Sequence, residues 1–361
     1  MDGLVPTSAL RRRRTALGVA IAERLAPSVL HTRDDGVLRC TACAHRCAFE
    51  DDRVGACGVR ESRSGELFAP FGYVARRYVR AVETNTVYHV EPGALALTFG
   101  MYGCDLRCGY CHNWKLSQAL REGLEGAPID MDAAVLVDEA VAQKCRVVVA
   151  AYNEPMIAAE WVHAVFSVAK ARGLRTMIVS DGHTTDEALT YLRPVTDVFR
   201  VDLKGFEPEH YRALGGRLSP VMAGIEKARA LGYWVEVVTL VVPGFNDDPS
   251  GLRGLARRLA AIDPDVPWHL NAFQPRYKMK ERQAMAPELL VSVAGAAYAR
   301  GLRYVYVGNV TSVFGELEHT RCPSCHTTVI ERRNYVTTAN RLSASGGCPS
   351  CGTSIPGLFG A

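Results

Sequence analysis

From Ala94 to Val307, apolar stretches of strand length alternate with amphipathic stretches of helix length. The near-continuous apolar runs predict strands over Ala94–Phe99, Arg146–Tyr152, Leu174–Ser180, Val198–Leu203, Val235–Val242, Trp268–Phe273 and Tyr304–Val307. Between them the spacing predicts helices over stretches such as Ala158–Arg172, Asp186–Leu192, Gly251–Ile262 and Pro287–Arg300. Arg172-Gly173, Leu231-Gly232 and Arg300-Gly301 are the pairs expected where a helix stops, because glycine accepts the left-handed cap. Strands that are apolar along their whole length, separated by helices, indicate a parallel sheet covered on its outer face. Repeated βα units predict an α/β fold, a partial or full (β/α) barrel over 91–312, with chemistry at the C-terminal ends of the strands.

The pattern changes on both sides of this region. Leu10, Leu17, Ile21 and Leu25 repeat at helical spacing and predict an amphipathic helix that docks on the body, within an N-terminal segment 1–35. Arg11 to Arg14 followed by Thr15 to Ala22 faintly resembles an export signal. Glu23 and Arg24 end the apolar stretch, no clear cleavage site follows, and the arginines read as a solvated face. Residues 36–90 form a cysteine-rich module. Cys40, Cys43, Cys47 and Cys57 have the spacing to close around one metal ion or a cluster, and zinc and iron–sulfur both remain open. His45, among them, reads as solvent-facing. After Gly308-Asn309 the alternation stops, and 313–361 carries two knuckles, Cys322-Pro323-Ser324-Cys325 and Cys348-Pro349-Ser350-Cys351. Four thiolates from two tight turns complete a tetrahedral zinc site, so this segment reads as a zinc ribbon.

Composition adds little beyond this. The 361 residues are 48% hydrophobic and 22% charged, with a net charge of +4, which does not by itself argue for nucleic acid. The strongest apolar run, Val235 to Val242, contains Glu236 and has strand length, so no membrane span is expected. All twelve cysteines except Cys145 fall into groups with metal-ligand spacing. That usage argues for reduced, metal-bound thiols in the cytoplasm rather than a disulfide framework.

The most informative stretch is Cys104-Asp105-Leu106-Arg107-Cys108-Gly109-Tyr110-Cys111, which follows a strand and a glycine-bracketed turn. One short loop here presents three thiolates to a single inorganic body. A closed zinc site would want a fourth ligand, whereas an iron–sulfur cubane can be held by three cysteines with one iron left open. With Tyr110 before the last cysteine, the loop resembles that of the radical S-adenosylmethionine (radical SAM) superfamily. The resemblance implies a [4Fe-4S] cluster on Cys104, Cys108 and Cys111 with SAM chelated to its open iron. It also implies reductive cleavage of SAM to a 5′-deoxyadenosyl radical, fed by an electron donor such as flavodoxin or ferredoxin.

Polar residues that close the strands are the candidates to meet that cofactor. Asn153 and Glu154 after the second strand offer acceptors for the SAM ammonium, although Glu154-Pro155 is equally a helix start. Ser180 and Asp181 end the third strand, Asp202 and Lys204 the fourth, and His269, Asn271 and Gln274 flank the sixth. Charged groups on an inner rim are costly unless paired or touching ligand. Asn246 or Asp247, in the turn after the fifth strand, caps the next helix. His269 is as readily a core histidine as a ligand contact.

These stretches are similar to pyruvate formate-lyase activating enzymes and related glycyl-radical activases. That similarity implies that Asn153, Glu154 and Pro155 hold the SAM amino group, that Asp202 and Lys204 line the SAM and substrate site, and that Asp181 helps bind a monovalent cation. More narrowly, Cys40 to Arg60, Tyr88 to Gly93, Tyr152 to Pro155, His269 to Met279 and Cys322 to Phe359 resemble the radical SAM member of the AmmeMemoRadiSam system. Asp105 stands where an asparagine is usual, Ala81 to Val87 lacks the acidic-proline-lysine pattern, and Gln274 stands where activases carry a histidine. The expected activity is hydrogen abstraction from a small molecule or a partner protein, an activase acting on a backbone glycine being one form of it. The rival is a nucleic-acid-binding or RNA-modifying zinc-ribbon protein with a merely structural cluster. It would use Arg321, Arg332, Arg333, Arg341 and Tyr335, and it is the less favoured reading.

Overall fold

The computed structural model of the chain describes residues 15–50, 52–310 and 316–360. An eight-stranded sheet forms its centre, in the spatial order Val305–Gly308, Trp268–Ala272, Trp234–Val241, Val198–Asp202, Arg175–Ser180, Val147–Ala150, Leu95–Gly100 and Arg76–Ala81. From Leu95 onwards every neighbouring pair is parallel. Successive βα units wound in one direction curl a sheet towards a barrel. Among the described residues the two edge strands do not pair with each other, so the barrel is partial.

The apolar runs form the strands because both of their faces are covered. All four residues of Val147–Ala150 are buried, and helices Ala159–Ala171, Leu218–Ala230 and Pro287–Tyr298 pack on the sheet. Gly173, Gly232 and Gly301 all have positive φ, as expected after a helix end. The Arg76–Ala81 strand lies in the segment assigned from sequence to the cysteine-rich module, yet it pairs antiparallel with Leu95–Gly100. Its half-exposed residues mark a sheet edge, which carries no continuous apolar signal.

At the N-terminus, helix Ala16–Ala22 begins where Thr15 accepts a hydrogen bond from the Gly18 amide, and it buries Leu17 and Ile21. It is shorter than its periodicity suggested. Leu25 belongs to a strand paired with Glu66–Pro70, and Leu10 and Arg11 to Arg14 lie outside the described residues. Two small antiparallel sheets then carry the cysteine-rich module. A fully buried ion pair, Arg60 with Glu160 of helix Ala159–Ala171, fastens that module to the barrel. His45 is not solvent-facing: its Nε2 lies 3.1 Å from the Asp105 carbonyl oxygen, and its ring meets His183 edge-on.

A buried polar plug lies within the barrel. The Glu236 carboxylate accepts from the backbone amides of Tyr88 and His89 and from the Trp234 indole, and meets His269 Nε2 at 2.7 Å. The C-terminal segment closes over the plug, with Leu358 bonded to the backbone of His89 and Glu91. The ribbon strands Thr320–Arg321, Thr328–Arg333 and Val336–Asn340 pack alongside, where buried Arg332 stacks on Tyr88 and donates to its carbonyl. The four ribbon sulfurs lie within 4.8 Å of one another, a spacing that fits one tetrahedral metal ion. The boundary expected at 312/313 falls outside the described residues. No helix among the described residues is long and apolar enough to cross a membrane.

Candidate active site

The three-cysteine loop leaves the Leu95–Gly100 strand through two crowded glycines. A Cβ on Gly100 would lie 2.5 Å from the Ala151 carbonyl, and Gly103, at φ +95°, sits against Val59 and the Cys57 carbonyl. Cys104, Cys108 and Cys111 consequently face a cavity of about 220 Å³ whose opposite wall is made of strand ends. Tyr110, Asn153, Glu154, Asp181, Asp202, Lys204 and Asn271 line it. Ser180 stands directly behind Glu154, and Pro155 opens the short helix that follows. His269 is buried against Glu236 in the plug, and Gln274 is exposed and bonded to the Asn309 carbonyl. The structure therefore does not bring these two candidates to the cavity wall.

Burial dominates the electrostatics of the thiols. It pushes Cys108 up to about 12, although Lys204 pulls the other way, and it pushes Cys104 and Cys111 up as well. Thiolates in such a place need a bound cation to stay charged. Ser117 supports Cys111 with its hydroxyl 3.2 Å from the sulfur.

Glu154 is held by the protein itself. Its carboxylate accepts from the Met156 and Asp181 amides and from the Ser180 hydroxyl, so it also caps the helix that begins at Pro155. Burial, then the charges of Asp181 and Asp105, push its pKa well up. Asn153 accepts from the Met101 amide, fixing the loop entrance to the second expected strand.

The fourth strand end is a triad of charges. Arg200 and Lys204 both reach Asp202, and they hold its carboxyl below the ordinary range against the effect of burial. Asn246 does not cap the following helix; Asp248 does. Asn246 instead donates to the carbonyls of Lys204 and Leu240 and accepts from the Val242 amide, clamping two strand ends together.

Three residues that line the cavity each hold a buried polar atom without a partner: Tyr110 Oη, Arg200 Nε and Asn271 Oδ1. Orphaned groups of this kind cost free energy unless a ligand satisfies them. With the soft thiolate set opposite, they fit an iron–sulfur cluster and a polar, charged cosubstrate. Arg200, Ser117 and Asn309 also belong to this wall and were not singled out from sequence. Arg200 carried a signal, a lone arginine inside the apolar run Val198 to Val201. Asn309 carried only its place after the last strand.

Residues 99–251 match the model of the Radical SAM superfamily. An uncharacterized protein of Methanocaldococcus jannaschii is 29% identical over 327 residues, covering 89% of this chain and 96% of that protein. A pyruvate formate-lyase-activating enzyme of Listeria monocytogenes is 29% identical over 220 residues, 56% of this chain and 85% of the enzyme. Among solved structures, a domain of pyruvate-formate lyase-activating enzyme from Bacteroides vulgatus aligns with a TM-score of 0.40 at 15% identity. It covers 45% of this chain and 98% of that one. SuiB of Streptococcus suis aligns with a TM-score of 0.47 at 12% identity, over 63% of this chain and 52% of SuiB.

Proposed function

The chain carries a radical SAM domain over residues 99–251, and on that premise we propose that it cleaves SAM reductively to abstract hydrogen from a substrate held at the Asp202–Lys204 rim. The observation that carries this reading is one cavity lined both by the three thiols of the loop and by the strand-end residues Arg200 and Asn271, each of which holds a buried polar atom without a partner. Cys104, Cys108 and Cys111 would hold a [4Fe-4S] cluster, which supplies the electron that breaks the sulfonium to give a 5′-deoxyadenosyl radical. Asn153, Glu154 and Asp181 form the acceptor side of the cavity, suited to an ammonium group, and Ser180 supports Glu154 from behind. Lys204, fixed by Asp202, presents a cation where substrate would enter. Val179, Leu203, Val238 and Leu240 supply apolar wall that keeps water out.

The relatives named as activating enzymes favour a partner protein as substrate, with a backbone glycine as the hydrogen donor. A low-potential ferredoxin or flavodoxin would serve as reductant, and zinc would occupy the ribbon. The narrower likeness to the AmmeMemoRadiSam member belongs to the same proposal, and its Tyr88–Gly93 motif contributes to the plug of the barrel. The nucleic-acid reading is weaker because three of its four arginines are engaged, although Arg333 is exposed. Arg332 is buried, Arg321 pairs with Glu316, and Arg341 pairs with Glu331.

Anaerobically reconstituted protein should convert SAM to 5′-deoxyadenosine, and Cys108→Ala should abolish this while leaving ribbon zinc unchanged. Retained cleavage in that variant would overturn the assignment. Deuterium transfer from a labelled candidate protein into 5′-deoxyadenosine would identify the substrate class.

A further inference from the structure

The N-terminal cysteines differ from the ribbon cysteines in a way that bears on what they bind. A tetrahedral zinc site with Zn–S bonds of about 2.3 Å brings its sulfurs to about 3.8 Å from one another. The ribbon has this spacing, with Cys322 and Cys351 sulfurs at 3.5 Å and Cys325 and Cys348 at 3.6 Å. Cys40, Cys43, Cys47 and Cys57 are all buried. The Arg60 guanidinium lies 3.6 Å from the Cys40 sulfur while its own amide lies 3.4 Å from that of Cys57. The Ala56 amide lies 3.3 Å from the Cys47 sulfur.

Yet among the described residues no three of these four sulfurs gather within 4.8 Å of one another, and neither do those of Cys104, Cys108 and Cys111. Sulfurs set wider apart than a single zinc ion draws them leave room for a cubane, in which each thiolate sits on a different iron. The surroundings suit an anionic cluster. Two backbone amides and the Arg60 guanidinium point at sulfur, and the buried Arg60–Glu160 pair fixes that guanidinium. His45 is not a competing ligand, because its Nε2 is engaged with the Asp105 carbonyl.

We propose that Cys40, Cys43, Cys47 and Cys57 bind a second [4Fe-4S] cluster, with all four irons ligated by thiolate, rather than zinc. It would lie beside the first cluster loop, since Arg121 donates both to the Ala56 carbonyl and to those of Cys104 and Leu106. The claim is independent of SAM cleavage and stands or falls on metal content.

The test is iron, sulfide and zinc analysis of the full chain reconstituted without air, in the parent and in Cys104→Ala/Cys108→Ala/Cys111→Ala. The parent should bind about eight irons and the triple variant about four, each with one zinc in the ribbon. The reduced triple variant should give a cubane EPR signal that SAM does not alter, because no iron is open. A triple variant with two zinc ions and no iron would overturn the proposal. Should that variant fail to fold, the parent decides. About eight irons, with only part of the reduced signal shifted by SAM, support the second cluster. About four irons, all of them SAM-sensitive, refute it. A parent inactive towards SAM whose triple variant keeps its iron would sink the catalytic reading alone.

Discussion

Asp105 and His183 meet in the core at 2.9 Å, carboxylate Oδ2 to ring Nδ1, across 78 residues of sequence. The contact joins the first cluster cysteine's neighbour to the turn that closes the third expected strand. His45 of the cysteine-rich module reaches the same place, so three parts of the chain share one buried joint. Asp105 stays ionised there: burial opposes its charge, but the hydrogen bond and charge of His183 hold it down at about 2.

That carboxylate sits 3.9 Å from the Cys104 sulfur, and a fixed negative charge beside a cluster disfavours its reduction. Asp105→Asn should therefore raise the midpoint potential of the cluster proposed on Cys104, Cys108 and Cys111 by some tens of millivolts, 59 mV being about tenfold for a one-electron couple. EPR-monitored redox titration reads the change. A midpoint that stays put or falls would show that the carboxylate does not set the potential.

Glu236 offers a pH-dependent prediction. Against the cost of burial, His269 first, then His89 and the Trp234 indole, bring its carboxyl from 4.5 to about 2. A carboxyl depressed in the folded state stabilises above its unfolded pKa, and that stability is lost as pH falls towards 2. His269, kept neutral chiefly by burial, acts in the same direction, because charging it in acid opposes folding. Glu236→Gln should cost about 3 kcal/mol at pH 7 and flatten the decline of stability between about pH 5 and pH 3. Urea unfolding at both pH values tests it; an unchanged slope with pH would remove Glu236 from the account.

The parallel sheet was legible because its strands are buried on both faces, and burial on both faces writes itself as an unbroken apolar run. Arg76–Ala81 was not legible, since an edge strand with exposed Tyr78 alternates weakly and resembles loop. The cavity-facing thiols were readable from spacing alone. Roles that depend on long-range partners were not. His269 and Asn271 lie two residues apart on one strand, yet one enters the plug and the other the cavity. Asn246 looked like a local cap and proves to be a clamp on Lys204, a contact that 42 residues of separation conceal.

Gly182 tests how tightly the turn after the Arg175–Ser180 strand is built. Its φ of +78° is left-handed, and an added Cβ would lie 2.7 Å from Val201 Cγ1 and 2.8 Å from Val221 Cγ1. Gly182→Ala should cost on the order of 2–4 kcal/mol from backbone strain and overpacking. The turn also carries the Asp181 amide that holds Glu154, so 5′-deoxyadenosine formation should fall further than iron content does. Equal losses of the two would mean that the turn only supports the fold.

The ribbon and the barrel should fail together when the ribbon loses its metal. Cys322 and Cys348 are buried against Val329, Ile330 and Ile355, while Cys325 and Cys351 are exposed and open to a chelator. Without a cation the turns at the four thiols lose what fixes them, and so small an apolar cluster cannot replace it. Arg332 transmits the loss inward, because it stacks 4.2 Å from the Tyr88 ring centroid and bonds both the Tyr88 carbonyl and the Thr320 hydroxyl. Tyr88 in turn delivers its amide to Glu236. Chelation in the absence of air, in a chain whose iron is retained, should expose residues 316–360 to protease and lower the melting temperature by at least a few degrees. Cys145→Ala, outside every cysteine group, should leave ribbon zinc loading and its protease resistance unchanged. Verified zinc loss with no change in proteolysis or melting would separate the ribbon from the stability of the barrel.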